Sequence, residues 1–112
     1  MPSSRLRHLN ASQVETPLGT LDNVEVLSPT DRTLGRVEGV IVDPDERHVR
    51  FYVVESHDWF KTHRYLVPEM PCRIDPERKA LKVELDAAGL AHLPELREDE
   101  FPPLSADELN RR

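Results

Sequence analysis

The chain has 112 residues, 38% hydrophobic and 32% charged, with a formal net charge of -6. It is the size of one charge-rich domain, and its acidity disfavours direct binding to phosphate backbones. Its longest apolar run, Phe51-Tyr52-Val53-Val54, falls far short of the roughly 18 residues a membrane-spanning helix needs.

Met1 to Asn10 is polar and basic and lacks the apolar stretch of a secretory signal, the single cysteine fits a reducing cytoplasm, and residues 1–18 read as a poorly anchored tail. Beyond them, ten prolines argue against long helices, and the apolar residues between them alternate. Val24 and Val26 flank Glu25; Val49, Phe51 and Val53 alternate with Arg50 and Tyr52; Leu81, Val83 and Leu85 alternate with Lys82 and Glu84. Period-2 spacing predicts strands near 22–27, 34–43, 48–55, 64–68, 72–75 and 80–85. Asp43-Pro44 and Asp75-Pro76 put a side-chain acceptor before a fixed φ, as a tight turn requires, so both are expected at equivalent hairpin corners. Gly35 and Gly39 lie inside the second strand, where glycine marks a bulge, a bend or close approach of another backbone. Short strands with polar turns imply an all-β domain, a small closed or nearly closed six-stranded barrel. Its expected core is Val37, Val40, Ile41, Phe51, Val53, Leu66, Ile74, Leu81 and Val83. Asp86 is placed to cap a short helical turn that Pro94 ends, with Leu90 and Leu93 plugging one end of the barrel. The domain then runs over 19–96, and 97–112 reads as an acidic, proline-containing tail.

In this order the core resembles the PRC-barrel family, the fold shared by the cytoplasmic domain of the photosynthetic reaction-centre H subunit and the C-terminal domain of a ribosome maturation factor. The resemblance centres on Leu34-Gly35-Arg36-Val37-Glu38-Gly39-Val40-Ile41-Val42-Asp43, followed by Arg50–Glu55, Tyr65-Leu66-Val67-Pro68 and Leu90–Leu96. It implies a structural signature at Gly35, Val37, Gly39 and Asp43, no shared catalytic residue, no cofactor, and a binding module. A membrane helix like that of the reaction-centre subunit has no counterpart here. The N-terminal barrel of the ribosome factor has none either.

The segment Ser56–Arg64 joins two predicted strands and holds the only tryptophan. Its residues His57, Asp58, Trp59, Phe60, Lys61 and His63 combine aromatic area with polar groups, the composition of a protein contact. The alternative is that Trp59 or Phe60 folds back to cover the barrel, and the residues alone leave both open. His57, Asp58 and His63 are of metal-ligating type, but two histidines without cysteine more often make surface hydrogen bonds, and no metal is expected. No paired carboxylates, nucleophile elbow or phosphate-cradling loop appears, and Cys72, set between Pro71 and Arg73, reads as a small buried hydrophobe, so an enzyme is not expected. The expected function is a non-catalytic interaction module, self-associating as a homodimer or docking on a larger complex. The alternatives are a ribosome-assembly accessory that binds a basic ribosomal protein, and an accessory of photosynthetic electron transfer like the H subunit.

Overall fold

The alternating stretches become strands in the computed structural model, which describes residues 6–16, 19–44, 48–57, 61–97 and 100–103. In chain order these are β1 (Arg7–Asn10), a 3₁₀ turn (Ala11–Gln13), β2 (Glu15–Thr16), β3 (Gly19–Thr20), β4 (Glu25–Leu27), β5 (Thr33–Asp43), β6 (His48–His57), β7 (Thr62–Pro68), β8 (Cys72–Asp75), β9 (Ala80–Val83) and the helix α1 (Ala87–Ala91). The six predicted strands all form, and the fold is all-β. The main sheet runs β7-β6-β5-β4-β9-β8, with β1 also paired to β5, while β2 and β3 make a separate small hairpin. Its pairings are antiparallel except β4–β9, which is parallel. The ladder ends at β7 and β8, and no pairing joins these two among the described residues. The sheet nevertheless wraps: Val26 of β4, Leu81 of β9 and Val67 of β7 are buried in one cluster.

Long β5 carries the curl. It pairs with β6 along one edge and, along the other, first with β4 and then with β1. Both glycines of this strand allow close approach. A Cβ on Gly35 would land on the Glu55 carbonyl oxygen, and one on Gly39 would sit 2.6 Å from the Leu9 carbonyl oxygen and 2.9 Å from His8 Nε2. Two register shifts in β5–β6 leave Glu38 and then Arg50 as extra residues, and a bulged residue bends a strand and resets which side chains face inward.

These bulges correct the expected core. Val37, Val40, Ile41, Val53, Leu66, Leu81 and Val83 are buried, but Phe51 and Ile74 are half-buried. More important, the residues divide between two clusters. Val37, Val40, Leu81 and Val83 line the interior with Val54, Tyr65 and Val67, and Ile74 packs against them. Ile41, Val53 and Leu66 face outward, where Leu6, Phe51, Leu96 and Phe101 cover them. Because Arg50 is extra, Val49 packs on the inner cluster and Phe51 on the outer one, so their apparent alternation spans two faces.

The Asp75-Pro76 turn forms as its chemistry predicts, and the strands on both sides of Asp43-Pro44 pair as a hairpin. Asp43 pairs with His48 and Asp75 with Ala80, so Pro44 and Pro76 occupy matching corners of two hairpins. Asp75 accepts backbone hydrogen bonds from Glu77 and Arg78 at 3.1 and 3.3 Å. Asp43 is buried, and the rest of its turn, residues 45–47, lies outside the described residues. The Asp86 carboxylate caps α1 by accepting from Gly89 N at 2.8 Å, and Leu90 is buried with Leu93 packed beside it. Two segments assigned to tails also join the fold: β1 extends the sheet, and Phe101 packs on the outer cluster. Residues 1–5 and 104–112 lie outside the described residues.

Candidate functional site

The hairpin of β6 and β7 carries the candidate contact segment. The ladder pairs Ser56 with His63 and His57 with Thr62, so the two histidines sit one rung apart near the hairpin end. Asp58, Trp59 and Phe60 lie outside the described residues, and Lys61 is exposed just before β7.

His57 and His63 occupy different environments. His57 Nδ1 shares a hydrogen bond of 2.9 Å with Thr62 Oγ1, while its Nε2 lies 3.9 Å from Glu55. His63 is more enclosed: its Nδ1 donates to Glu95 Oε1 at 3.3 Å, and its ring stacks on Tyr65 with centroids 5.7 Å apart. Both histidines border an open cavity of about 340 Å³ between the hairpin and the start of β5 on one side and α1 on the other. Thr33, Ser56, His57, His63 and Tyr65 supply a polar, partly aromatic wall; Leu34, Ala87, Leu90 and Ala91 supply an apolar one. The small alanines keep the helix from filling the space. A groove of this kind suits a side chain or short segment of a partner with both apolar and hydrogen-bonding groups.

The sequence pointed to His57 and His63, and the fold brings them to one groove with Lys61 nearby in the chain. Sequence reasoning missed Tyr65, although a residue two places after His63 shares its face of the strand. The α1 wall had no local signal, because tertiary packing alone brings it opposite the hairpin. Among the described residues no group of three His, Cys, Asp or Glu side chains is arranged to hold a metal ion.

Two titratable groups outside the groove, Cys72 and Glu38, are shifted by their surroundings. Cys72 is half-buried against the inner cluster, its Sγ 3.4 Å from the Pro68 carbonyl oxygen, and burial with the Glu69 charge pushes its thiol up to about 12. Such a thiol stays protonated near neutrality and is a poor nucleophile. Glu38, the bulged residue of β5, accepts from His8 Nε2 at 3.2 Å and lies 4.0 Å from Arg64 Nη1. The His8 hydrogen bond, together with the charges of His8 and Arg64 and against partial burial, holds the carboxyl below the usual carboxylate value.

A carboxyl with a lower pKa folded than unfolded stabilises the fold above the unfolded value, and that contribution is lost as pH falls through the folded value. Urea midpoints of the native chain should therefore drop more between pH 6 and 3 than those of a Glu38→Gln chain. Parallel curves would show that Glu38 contributes nothing.

The family model of the PRC-barrel domain matches residues 17–90. The match takes in β3 to β9 and most of α1, and leaves β1, β2 and residues 94–103 outside it. No curated protein matches the chain.

Proposed function

This chain belongs to the PRC-barrel family, and on that premise we propose that it is a non-catalytic docking module whose contact surface is the β6–β7 hairpin end and the groove beside it. The observation that carries the reading is the groove: a polar wall bearing His57 and His63 faces an apolar α1 wall, and in sequence Trp59 and Phe60 lie between these two histidines. Large aromatic side chains with polar neighbours are enriched where proteins contact each other. Further support comes from a side chain that would otherwise do chemistry. Burial pushes the Cys72 thiol up to about 12, which makes it a poor nucleophile near neutrality. The partner is a protein, either a second copy or a component of a larger complex, and the setting is the cytoplasm. No helix among the described residues is long and apolar enough to cross a membrane.

A Trp59→Ala substitution tests the reading. As a contact residue, Trp59 should weaken self-association or partner binding at least tenfold, read by light scattering and by capture of the native partner, with Tm nearly unchanged. A stability loss of roughly 3–5 kcal/mol would instead identify Trp59 as core and remove the hairpin as the contact site. The net charge of -6 favours a second reading, docking on a basic ribosomal protein. Co-sedimentation with small-subunit precursors supports that reading, and absence from every ribosomal fraction eliminates it.

A further inference from the structure

Outside the region matched by the family model, residues 94–97 and 100–103 lie against the outer face of β5, β6 and β7. At one end Leu66 N donates to the Pro94 carbonyl at 2.8 Å and Leu96 N donates to the Arg64 carbonyl at 2.7 Å, so Glu95 makes an isolated bridge to Tyr65 on the edge of β7. At the other end His8 N donates to the Pro102 carbonyl at 2.9 Å, on the edge of β1. Between these points Leu96 and Phe101 lie on Ile41, Val53 and Leu66, which are 0%, 0% and 5% exposed.

The segment has the chemistry of a bound peptide more than of a strand. Its pairings are isolated bridges, Pro94, Glu95, Arg97, Glu100 and Pro102 are exposed, and a cavity of about 660 Å³ opens along Leu93, Pro94, Glu95, Arg97 and Glu100. The seat beneath it is built by the barrel: a strand edge offering a donor at Leu66 and an acceptor at Arg64, an apolar face, and His63 donating to a carboxylate. An extended segment that adds to a sheet edge through its backbone and places alternate side chains in pockets is a recurrent mode of recognition.

We propose that this face of β5–β7 is a second docking site, for a segment of another protein that runs along the β7 edge, turns, and reaches β1, placing a carboxylate opposite His63 and a leucine and an aromatic side chain on the cluster of Ile41, Val53 and Leu66, and that residues 94–97 and 100–103, joined by a turn in which Glu100 N donates to the Arg97 carbonyl, occupy it in cis. The tethered segment competes at an effective concentration on the order of millimolar, so an incoming segment binds the native chain weakly unless the cis contacts are loosened. This site shares His63 and Tyr65 with the hairpin groove, but its apolar seat, Ile41, Val53 and Leu66, lies on the other face of the sheet.

The test uses the full chain and a synthetic peptide copying residues 93–103. A Leu96→Ala, Phe101→Ala double variant keeps the seat but weakens its occupant. It should bind the peptide at least tenfold more tightly than the native chain does, with NMR shifts of the Ile41, Val53 and Leu66 methyl groups. A folded double variant that fails to bind the peptide overturns the proposal. If the variant does not fold, amide exchange of the native chain decides: His8, Leu66 and Leu96 should exchange by local opening, faster than Val54. Exchange of those amides through global unfolding alone overturns the proposal too. Dimers of the native chain that dissolve on the same two substitutions would make the occupant a second copy and exclude the partner proposed. Trp59→Ala should leave peptide binding unchanged, which keeps this test apart from that of the hairpin.

Discussion

A Gly35→Val chain is expected to lose about 3 kcal/mol or more of folding stability, a large share of the roughly 5–15 kcal/mol typical of a domain. The reason is backbone contact. A Cβ at this position would collide with the carbonyl oxygen of Glu55 and come within 3.1 Å of its carbonyl carbon, and a flexible side chain could yield where these atoms cannot. Glu55 is held in ladders on both sides, opposite Arg36 in β5 and Arg64 in β7, so it can retreat only by breaking the centre of the sheet. The next atom in line, Val54 Cγ1, belongs to a fully buried side chain. Urea unfolding followed by circular dichroism measures the loss. A midpoint within experimental error of the native one would mean that β5 and β6 are farther apart than described.

Leu81→Ala is expected to cost a similar amount, about 3 kcal/mol, by a different mechanism. Leu81 is completely buried in β9, with Val26 of β4 beside it in one register and Ile74 of β8 in the other. Truncation removes apolar area and leaves a cavity between strands that are held by their own ladders and cannot collapse around it. Thermal and urea unfolding should agree on the loss. A cost below about 1 kcal/mol would mean that the site relaxes freely and that the inner cluster is not the main source of stability.

The strands and turns were legible because their signals are local. Alternating valines and leucines set β5 and β9, the Asp-Pro pairs set two corners, and Asp86 set the start of α1. The faces were not fully legible. Glu38 and Arg50 look like ordinary polar residues of alternating strands, and only pairing shows them to be extra. Once Arg50 is extra, Phe51 turns away from the interior, and a list built on strict alternation mixes two clusters. β1 was hidden because Arg7-His8-Leu9-Asn10 carries no alternation and its partners lie at Gly39–Val42. Phe101-Pro102-Pro103 read as a tail because proline cannot donate to a ladder. Pro102 joins the sheet by accepting, which needs no N–H. At the site, His57 and His63 were visible from residue type and spacing. The groove they border was not, since its far wall comes from α1.

The parallel pairing of β4 with β9 bears on how the chain acquires its structure. β5, β6 and β7 form an antiparallel meander whose neighbours are adjacent in sequence, and such local pairing closes short loops at small entropic expense. Val26 and Leu81, by contrast, meet only after the whole intervening chain has been arranged. Contacts of this sequence separation slow the search for the native state, so docking of the β8–β9 hairpin onto β4 is expected to limit the folding rate. Until it occurs, the inner faces of Val26 and the meander are exposed together, and the nascent barrel is at its most vulnerable to aggregation.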